Sequence, residues 1–243
     1  MSPRDEVHSS HTQRMNKTRM KTTPRRTAPA IAAAAIVAAA SFMALPEGAS
    51  AQGAGLVGTA PEAAAKPAGG PVKSARYIID PTHTFVMYEM GHYGTTTNRG
   101  RFSTKDGIVR MDDTGQSGKV DITMDMSSIN TGVDLLNRHV QSKDFLNIAE
   151  FPTGRFVADK IAVSGEKVTE VDGMLTLLGQ TRPVKLTSSK FGCYLSPLIN
   201  RQICGGDFET FIERSQWGIT WGIPFGFEDR IKLVVQVEAV NVN

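Results

Sequence analysis

From Tyr77 onward, apolar and polar side chains alternate with a period of two. Val86, Tyr88, Met90 and His92 fall on one parity, with Met87 and Glu89 on the other. Val120, Ile122, Met124 and Met126 alternate with Asp121, Thr123 and Asp125, and Ile231, Leu233, Val235, Val237 and Ala239 share a parity against Lys232, Gln236 and Glu238. Successive side chains of a strand point to opposite faces, so each run reads as a half-buried strand. Turn signals divide the runs: Lys105-Asp106-Gly107, Asp112-Asp113-Thr114-Gly115, Ser164-Gly165-Glu166 and Leu178-Gly179-Gln180. One stretch lacks the alternation. Residues 131–147 place Val133, Leu136 and Val140 at helical spacing, which predicts a short helix ending before Phe151-Pro152. Regularly spaced strands with one helix and no strand-helix-strand rhythm predict an all-β fold, an antiparallel barrel or sandwich. A barrel of about eight strands has an interior just wide enough for side chains or one slender ligand. The inward set mixes sizes and carries a few polar tips, which fits a filled core and an amphiphile cavity equally well.

The first part of the chain has a different composition. Arg14, Lys17, Arg19, Lys21, Arg25 and Arg26 form a basic region without an acidic residue, and a mostly alanine apolar run follows over 28–45. That run breaks at Pro46-Glu47-Gly48 and reaches Ala49-Ser50-Ala51, the small-x-small pattern cut by signal peptidases. A membrane anchor, the competing reading, needs about 20 strongly apolar residues. Residues 1–51 are therefore expected to be a signal peptide cleaved near Ala51, with Met15 or Met20 as alternative starts and Arg25-Arg26 raising a twin-arginine route. Residues 52–75 read as a flexible Ala/Pro/Gly linker, leaving 76–243 as one domain. The expected location is the periplasm or the outside of the cell.

Export changes the charge and cysteine readings. Seven of the 27 Lys and Arg and three of the 24 Asp and Glu precede Gln52, so the remainder carries 20 against 21 and is near neutral. No basic footprint for nucleic acid is left. Cys193 and Cys204 are expected to form a disulfide in an oxidising compartment, and their separation is not the C-x-x-C of a redox-active pair.

Several short motifs occur in order along the domain. Tyr77-Ile78-Ile79-Asp80-Pro81-Thr82-His83-Thr84 is followed by His92-Tyr93-Gly94 and Arg99-Gly100-Arg101-Phe102. Next come Ser128-Ile129-Asn130-Thr131, then Arg138-His139-Val140-Gln141-Ser142-Lys143-Asp144-Phe145, and Phe151-Pro152. Val171-Asp172-Gly173-Met174-Leu175, Gly179-Gln180-Thr181-Arg182-Pro183, Cys204-Gly205-Gly206-Asp207 and Glu213-Arg214-Ser215-Gln216-Trp217-Gly218-Ile219 complete the series. Together they resemble the YceI-like family, whose opening pattern is roughly Y-x-I-D-x-x-H-S, H-x-G and R-G-x-F. Thr84 stands where the family usually has Ser, Val140 where Leu is usual, and Arg138 where an acidic residue often precedes the His. The resemblance implies a lipocalin-like antiparallel barrel in the periplasm, often dimeric. It also implies a polyisoprenoid, isoprenoid quinone or other long-chain amphiphile in the central cavity, and transfers no catalytic residues.

His83 and His92 differ by nine positions, so on one regular strand they would face opposite sides, which argues against a shared metal. His83 reads as a hydrogen-bonding residue at a strand start. His92 shares the parity of Val86, Tyr88 and Met90, and serves either a ligand headgroup or a buried polar neighbour. There is no G-x-S-x-G nucleophile elbow, and Asp121, Asp125 and Asp172 read as surface carboxylates. Arg138, His139 and Lys143 either meet an anionic headgroup at a barrel mouth or simply solvate a helix face. Trp217, Trp221, Phe225 and Phe227 read as core packing. The expected ligand-contacting set is Val86, Tyr88, Met90, His92, Phe102, Arg138, His139, Lys143 and Phe145. The expected function is non-enzymatic and cofactor-free: an exported protein holding a long-chain isoprenoid or fatty amphiphile. The alternative is a filled barrel acting with a membrane quinone or electron-transfer partner.

Overall fold

The alternating runs become ten strands in the computed structural model, which describes residues 65–243. The expected signal peptide and the first part of the expected linker lie outside the described residues. The strands are β1 (Lys66–Pro67), β2 (Arg76–Ile79), β3 (Phe85–His92), β4 (Thr96–Met111), β5 (Gly118–Asp125), β6 (Thr153–Ser164), β7 (Lys167–Leu177), β8 (Gln180–Leu195), β9 (Gln202–Glu213) and β10 (Arg230–Asn241). All pairings are antiparallel, and β4 through β10 follow one another around the sheet in chain order. The circuit closes because β2 and β3 both lie between β10 and β4. Counted as one interrupted stave, β2 and β3 make this a closed barrel of eight antiparallel positions. Closure leaves no long free edge of the kind that invites aggregation.

The interruption between β2 and β3 has a local cause. Ile79 pairs with Ala239 and Phe85 with Gln236, so five residues, 80–84, span the interval that two residues fill on β10. Pro81 has no N–H to give a ladder. Asp80 instead folds the excess chain into a turn, accepting bonds from the Thr82 backbone N–H (2.8 Å) and hydroxyl (2.6 Å) and contacting His83 Nδ1 at 2.8 Å. Fully buried Thr84 then replaces the missing ladder bonds, its hydroxyl donating to the Glu238 carbonyl and accepting from the Glu238 N–H, both at 3.1 Å. His83 is thus an exposed turn brace.

The helix is shorter than its sequence pattern predicts. It runs Asp134–Gln141 as α1, because Gly132 takes φ of 81° and Ser142 is extended. Ser142 stops it by donating its hydroxyl and its N–H to the His139 carbonyl. Asp134 in the first turn and Arg138 and His139 in the last suit the helix dipole. Leu136, His139 and Val140 face the barrel, whereas Val133, expected on the apolar face, precedes the helix and is exposed.

The described part of the expected linker is laid over one end of the barrel. β1 pairs with the end of β8, which outruns β7 there. Gln202 donates its side-chain amide to the carbonyls of Ala68 (2.9 Å) and Gly70 (3.0 Å), and the Tyr77 hydroxyl links Gln202 to the Val72 N–H. Beyond the two-residue β1, residues 68–75 carry no periodicity because they build no element of their own; side chains and backbone of the barrel satisfy their backbone. Beside this strap, Cys193 and Cys204 are paired in register on β8 and β9 and joined by a disulfide.

Candidate functional site

The barrel encloses two apolar chambers arranged along its axis. The one nearer the strap has a volume of about 130 Å³ and is walled by residues such as Val109, Val120, Phe156, Val184, Phe208 and Val237, with Pro71 of the strap at its base. The other has a volume of about 340 Å³ and lies toward α1. Val86, Met124, Leu175 and Leu233 border both and form a waist between them. β10 contributes Ile231, Leu233, Val235, Val237 and Ala239 to the walls. At about 3.4 Å per residue and a strand tilt of about 40°, those positions span roughly 20 Å of axial depth.

Two of the large rings that line the interior pack closely over glycines. Tyr88 is registered opposite Gly100, and a Cβ there would fall 2.5 Å from the Tyr88 ring. Gly173 likewise accepts the Phe156 ring, which a Cβ would meet at 2.5 Å. Rings stacked against the wall leave the axis free, and an apolar void of this kind has nothing to hold water firmly. Alternation along a strand puts residues on the inner face but does not say how the rings lie.

Polar groups collect at the α1 end. His92, Asn98, His139 and Arg214 join the lining there, with Tyr88 beneath them. Burial raises the Tyr88 phenol above its ordinary value, so it is neutral. His139 Nε2 lies 3.1 Å from Asp144 Oδ2, and its ring meets Phe145 (5.0 Å) and Trp221 (4.6 Å) edge to face. Trp221 continues to Phe227 (5.5 Å), and Phe227 to His92 (5.2 Å) and Tyr93 (4.9 Å). Rings from the β3–β4 turn, the segment before β10 and the region around α1 thus form one connected aromatic rim.

Arg214 holds part of that rim in place. Its side chain is 3% exposed, with Nε donating to the Glu228 carbonyl and Nη1 to the carbonyls of Ile219 and Trp221, each at 2.9 Å. Burial pulls the guanidinium below its usual value, while the Asp229 carboxylate opposes the shift. The loop carrying Trp221 and Phe227 is therefore folded around a buried cation. Beneath it Trp217, 1% exposed, donates Nε1–H to the Leu175 carbonyl at 3.1 Å.

Of the nine residues expected to contact a ligand, Val86, Tyr88, Met90, His92, Phe102, His139 and Phe145 line the larger chamber. Arg138 and Lys143 do not. Both are exposed. Adjacent helical residues point about 100° apart, so Arg138 cannot share the inner face with Leu136, His139 and Val140. The safer assignment of Trp221 and Phe227 to core packing is also corrected, since both line the chamber, and Phe225 is exposed. Arg214 was missed as a lining residue. Its signal was a lone cation inside an aromatic and apolar stretch. Asp121 and Asp172 do face out, Asp121 in a two-bond pair with Arg155 (2.8 and 2.6 Å) and Asp172 3.6 Å from Lys185. Among the described residues, no three His, Cys, Asp or Glu side chains are grouped to hold a metal ion.

Comparison with known proteins agrees with this architecture. The YceI-like domain matches residues 77–239. A UPF0312 protein of Pseudomonas savastanoi pv. phaseolicola is 31% identical over 125 residues, which is 50% of this chain and 65% of that protein's length. Protein YceI of Salmonella arizonae is 29% identical over 174 residues, covering 70% of this chain and 90% of the relative. Among solved structures, a polyisoprenoid binding domain from Saccharophagus degradans implicated in plant cell wall breakdown superposes with a TM-score of 0.50. It is 14% identical and the match covers 68% of this chain and 98% of that one. At that identity the likeness is one of fold.

Proposed function

The chain belongs to the YceI-like domain family, and from that membership and the shape of its cavity we propose that it is an exported carrier of a long-chain amphiphile. The observation that carries the reading is the pair of apolar chambers set end to end, with polar groups confined to the α1 end. A tail entering from that end passes the waist toward the strap. Each buried methylene stabilises it by about 0.8 kcal/mol. The head remains near His92, Asn98 and His139, where ring nitrogens and an amide can hydrogen-bond it. A polyisoprenoid, an isoprenoid quinone and a fatty-acid-like lipid all fit this description. The polyisoprenoid binding domain of similar fold favours the first two.

The reading is of a binder and not of an enzyme. The family and the cavity support holding a molecule, and neither supplies a reaction. Export rests on the basic and apolar leader with its Ala49-Ser50-Ala51 site, and the paired Cys193 and Cys204 suit an oxidising compartment. The deciding experiment is mass spectrometry of an organic extract from protein purified without detergent out of its host. A stoichiometric isoprenoid, quinone or fatty amphiphile is expected. A clean extract from folded protein that also takes up no amphiphile added in vitro would overturn the carrier reading.

A further inference from the structure

We infer that the α1 end of the barrel docks on a lipid bilayer, so that cargo passes directly between membrane and chamber. This rests on the carrier reading and adds how the carrier is loaded. Four large apolar side chains are exposed on the three elements that frame the opening. Tyr93 (52% exposed) stands at the β3–β4 turn, Val133 (55%) and Leu135 (71%) at the start of α1, and Phe225 (70%) at the tip of the segment before β10.

Three of the four lie close in the chain to a residue of the chamber wall. Tyr93 follows His92 and packs on Phe227 at 4.9 Å; Leu135 precedes Leu136; Phe225 is two residues from Phe227. The Phe225 tip is built to project. Gly222 and Gly226 bracket Ile223-Pro224-Phe225 with φ of 81° and 96°, and Gly226 turns closely past the Tyr93 ring. Tyr93 and the loop that carries Phe225 are thus continuous, through the aromatic rim, with the apolar lining, and Leu135 stands on the helix that supplies Leu136 to it. An opening framed this way keeps an apolar cargo out of water during transfer.

The chemistry selects a bilayer over a protein groove. Phenylalanine and leucine suit shallow insertion, and tyrosine suits the headgroup boundary. Arg138 and Lys143 are exposed around the same helix and make no ion pair among the described residues, which fits lipid phosphates; Asp134 and the His139-linked Asp144 are the acidic groups beside them. The cargo is itself a bilayer component. This gives the two outward cations a role that the chamber does not.

The test uses the protein as its host processes it, with phosphatidylcholine–phosphatidylglycerol vesicles and a fluorescent polyene fatty acid as cargo. The variants Phe225→Ser and Leu135→Gln change exposed side chains, so folding is unaffected. Leu198→Gln changes the exposed tip of the β8–β9 turn at the strap end, where Leu198 is 92% and Ile199 52% exposed. The wild type is expected to sediment with vesicles and to deliver cargo at a rate that rises with acceptor vesicle concentration. Phe225→Ser with Leu135→Gln should lower both by about tenfold, while uptake of the probe from vesicle-free solution is unchanged. Leu198→Gln should change nothing. Transfer independent of acceptor concentration, a mouth variant equal to wild type, or loss of vesicle binding with Leu198→Gln alone overturns the docking inference. Failure of probe uptake from vesicle-free solution would instead strike the carrier reading.

Discussion

The waist between the chambers offers a sharp perturbation. Val86 is 8% exposed and borders both chambers, with Met124, Leu175 and Leu233 around it. Replacing it with phenylalanine puts a ring across the passage. In a close-packed core such an insertion costs about 1–3 kcal/mol of stability, but here open volume lies on either side, so the lower figure applies. The consequence for cargo is a shorter reach. If the ring denies the tail about four methylenes of burial, affinity falls by about 3 kcal/mol, roughly a hundredfold. A short tail that ends in the larger chamber loses nothing. Titration of saturated fatty acids of increasing length, by displacement of a fluorescent probe, is therefore expected to give a rising affinity that plateaus. Val86→Phe should plateau about four carbons earlier. A thermal melt alongside checks that the variant is folded. Identical chain-length profiles for the two proteins would mean that the tail never crosses the waist, and the two-chamber argument would be wrong.

Three further outcomes are expected. Met90→Glu places a carboxylate in the apolar wall, where it must be desolvated beside any bound tail, so retained lipid in extracts should disappear; full retention would show that position 90 does not meet the cargo. Replacing both Cys193 and Cys204 by serine opens a link across a sequence separation of 11 and should lower unfolding stability by about 2–3 kcal/mol in a denaturant titration; an unchanged midpoint would show that the disulfide contributes nothing. The Asp80 turn should respond to pH in both directions. The hydrogen bond to Asp80 holds His83 above its ordinary 6.5, so that contribution is complete below about pH 6.5 and fades as pH rises through the folded value. Slight burial opposes the shift of Asp80, but bonds from Thr82 and His83 hold it below its ordinary 3.8, so its contribution is present above that value and lost as pH falls. The groups are exposed and the effect on stability is small. An NMR titration should show the His83 ring returning to its ordinary value in Asp80→Asn, and an unchanged ring would refute the contact.

Much of the fold was legible because strand alternation is a local property. The parity of Val86, Tyr88, Met90 and His92, and of Ile231 through Ala239, already separated the inner face from the outer. Three of the four turn clusters marked hairpin turns, whereas Lys105-Asp106-Gly107 is not a turn but an irregularity inside β4, where the register with β5 shifts between Thr104 and Asp106; the ordered motifs identified the barrel. The helix was legible in place but not in extent. Val133 matched its apolar spacing, yet Gly132 and Ser142 set the ends through backbone geometry. The strap over 66–75 was invisible for the opposite reason. Its order comes from Gln202 and Tyr77, residues more than a hundred positions away or in the next strand.

For the cavity, sequence alone determined which strand side chains face inward: Val86, Tyr88, Met90 and His92 line the chamber because parity is inherited from a two-residue repeat, while His139 and Phe145 reach it from the helix region, outside that repeat. Tertiary structure alone decided that the interior is open. That depends on the Tyr88 ring finding Gly100 and the Phe156 ring finding Gly173 on neighbouring strands, which are questions of register and rotamer. It also decided that Trp221 and Phe227 belong to the mouth, since buried Arg214 folds their loop back over the barrel. And it turned Arg138 outward, because a helix presents one face at a time and the barrel took the face carrying Leu136, His139 and Val140, while Lys143 falls in the exposed turn after the helix end.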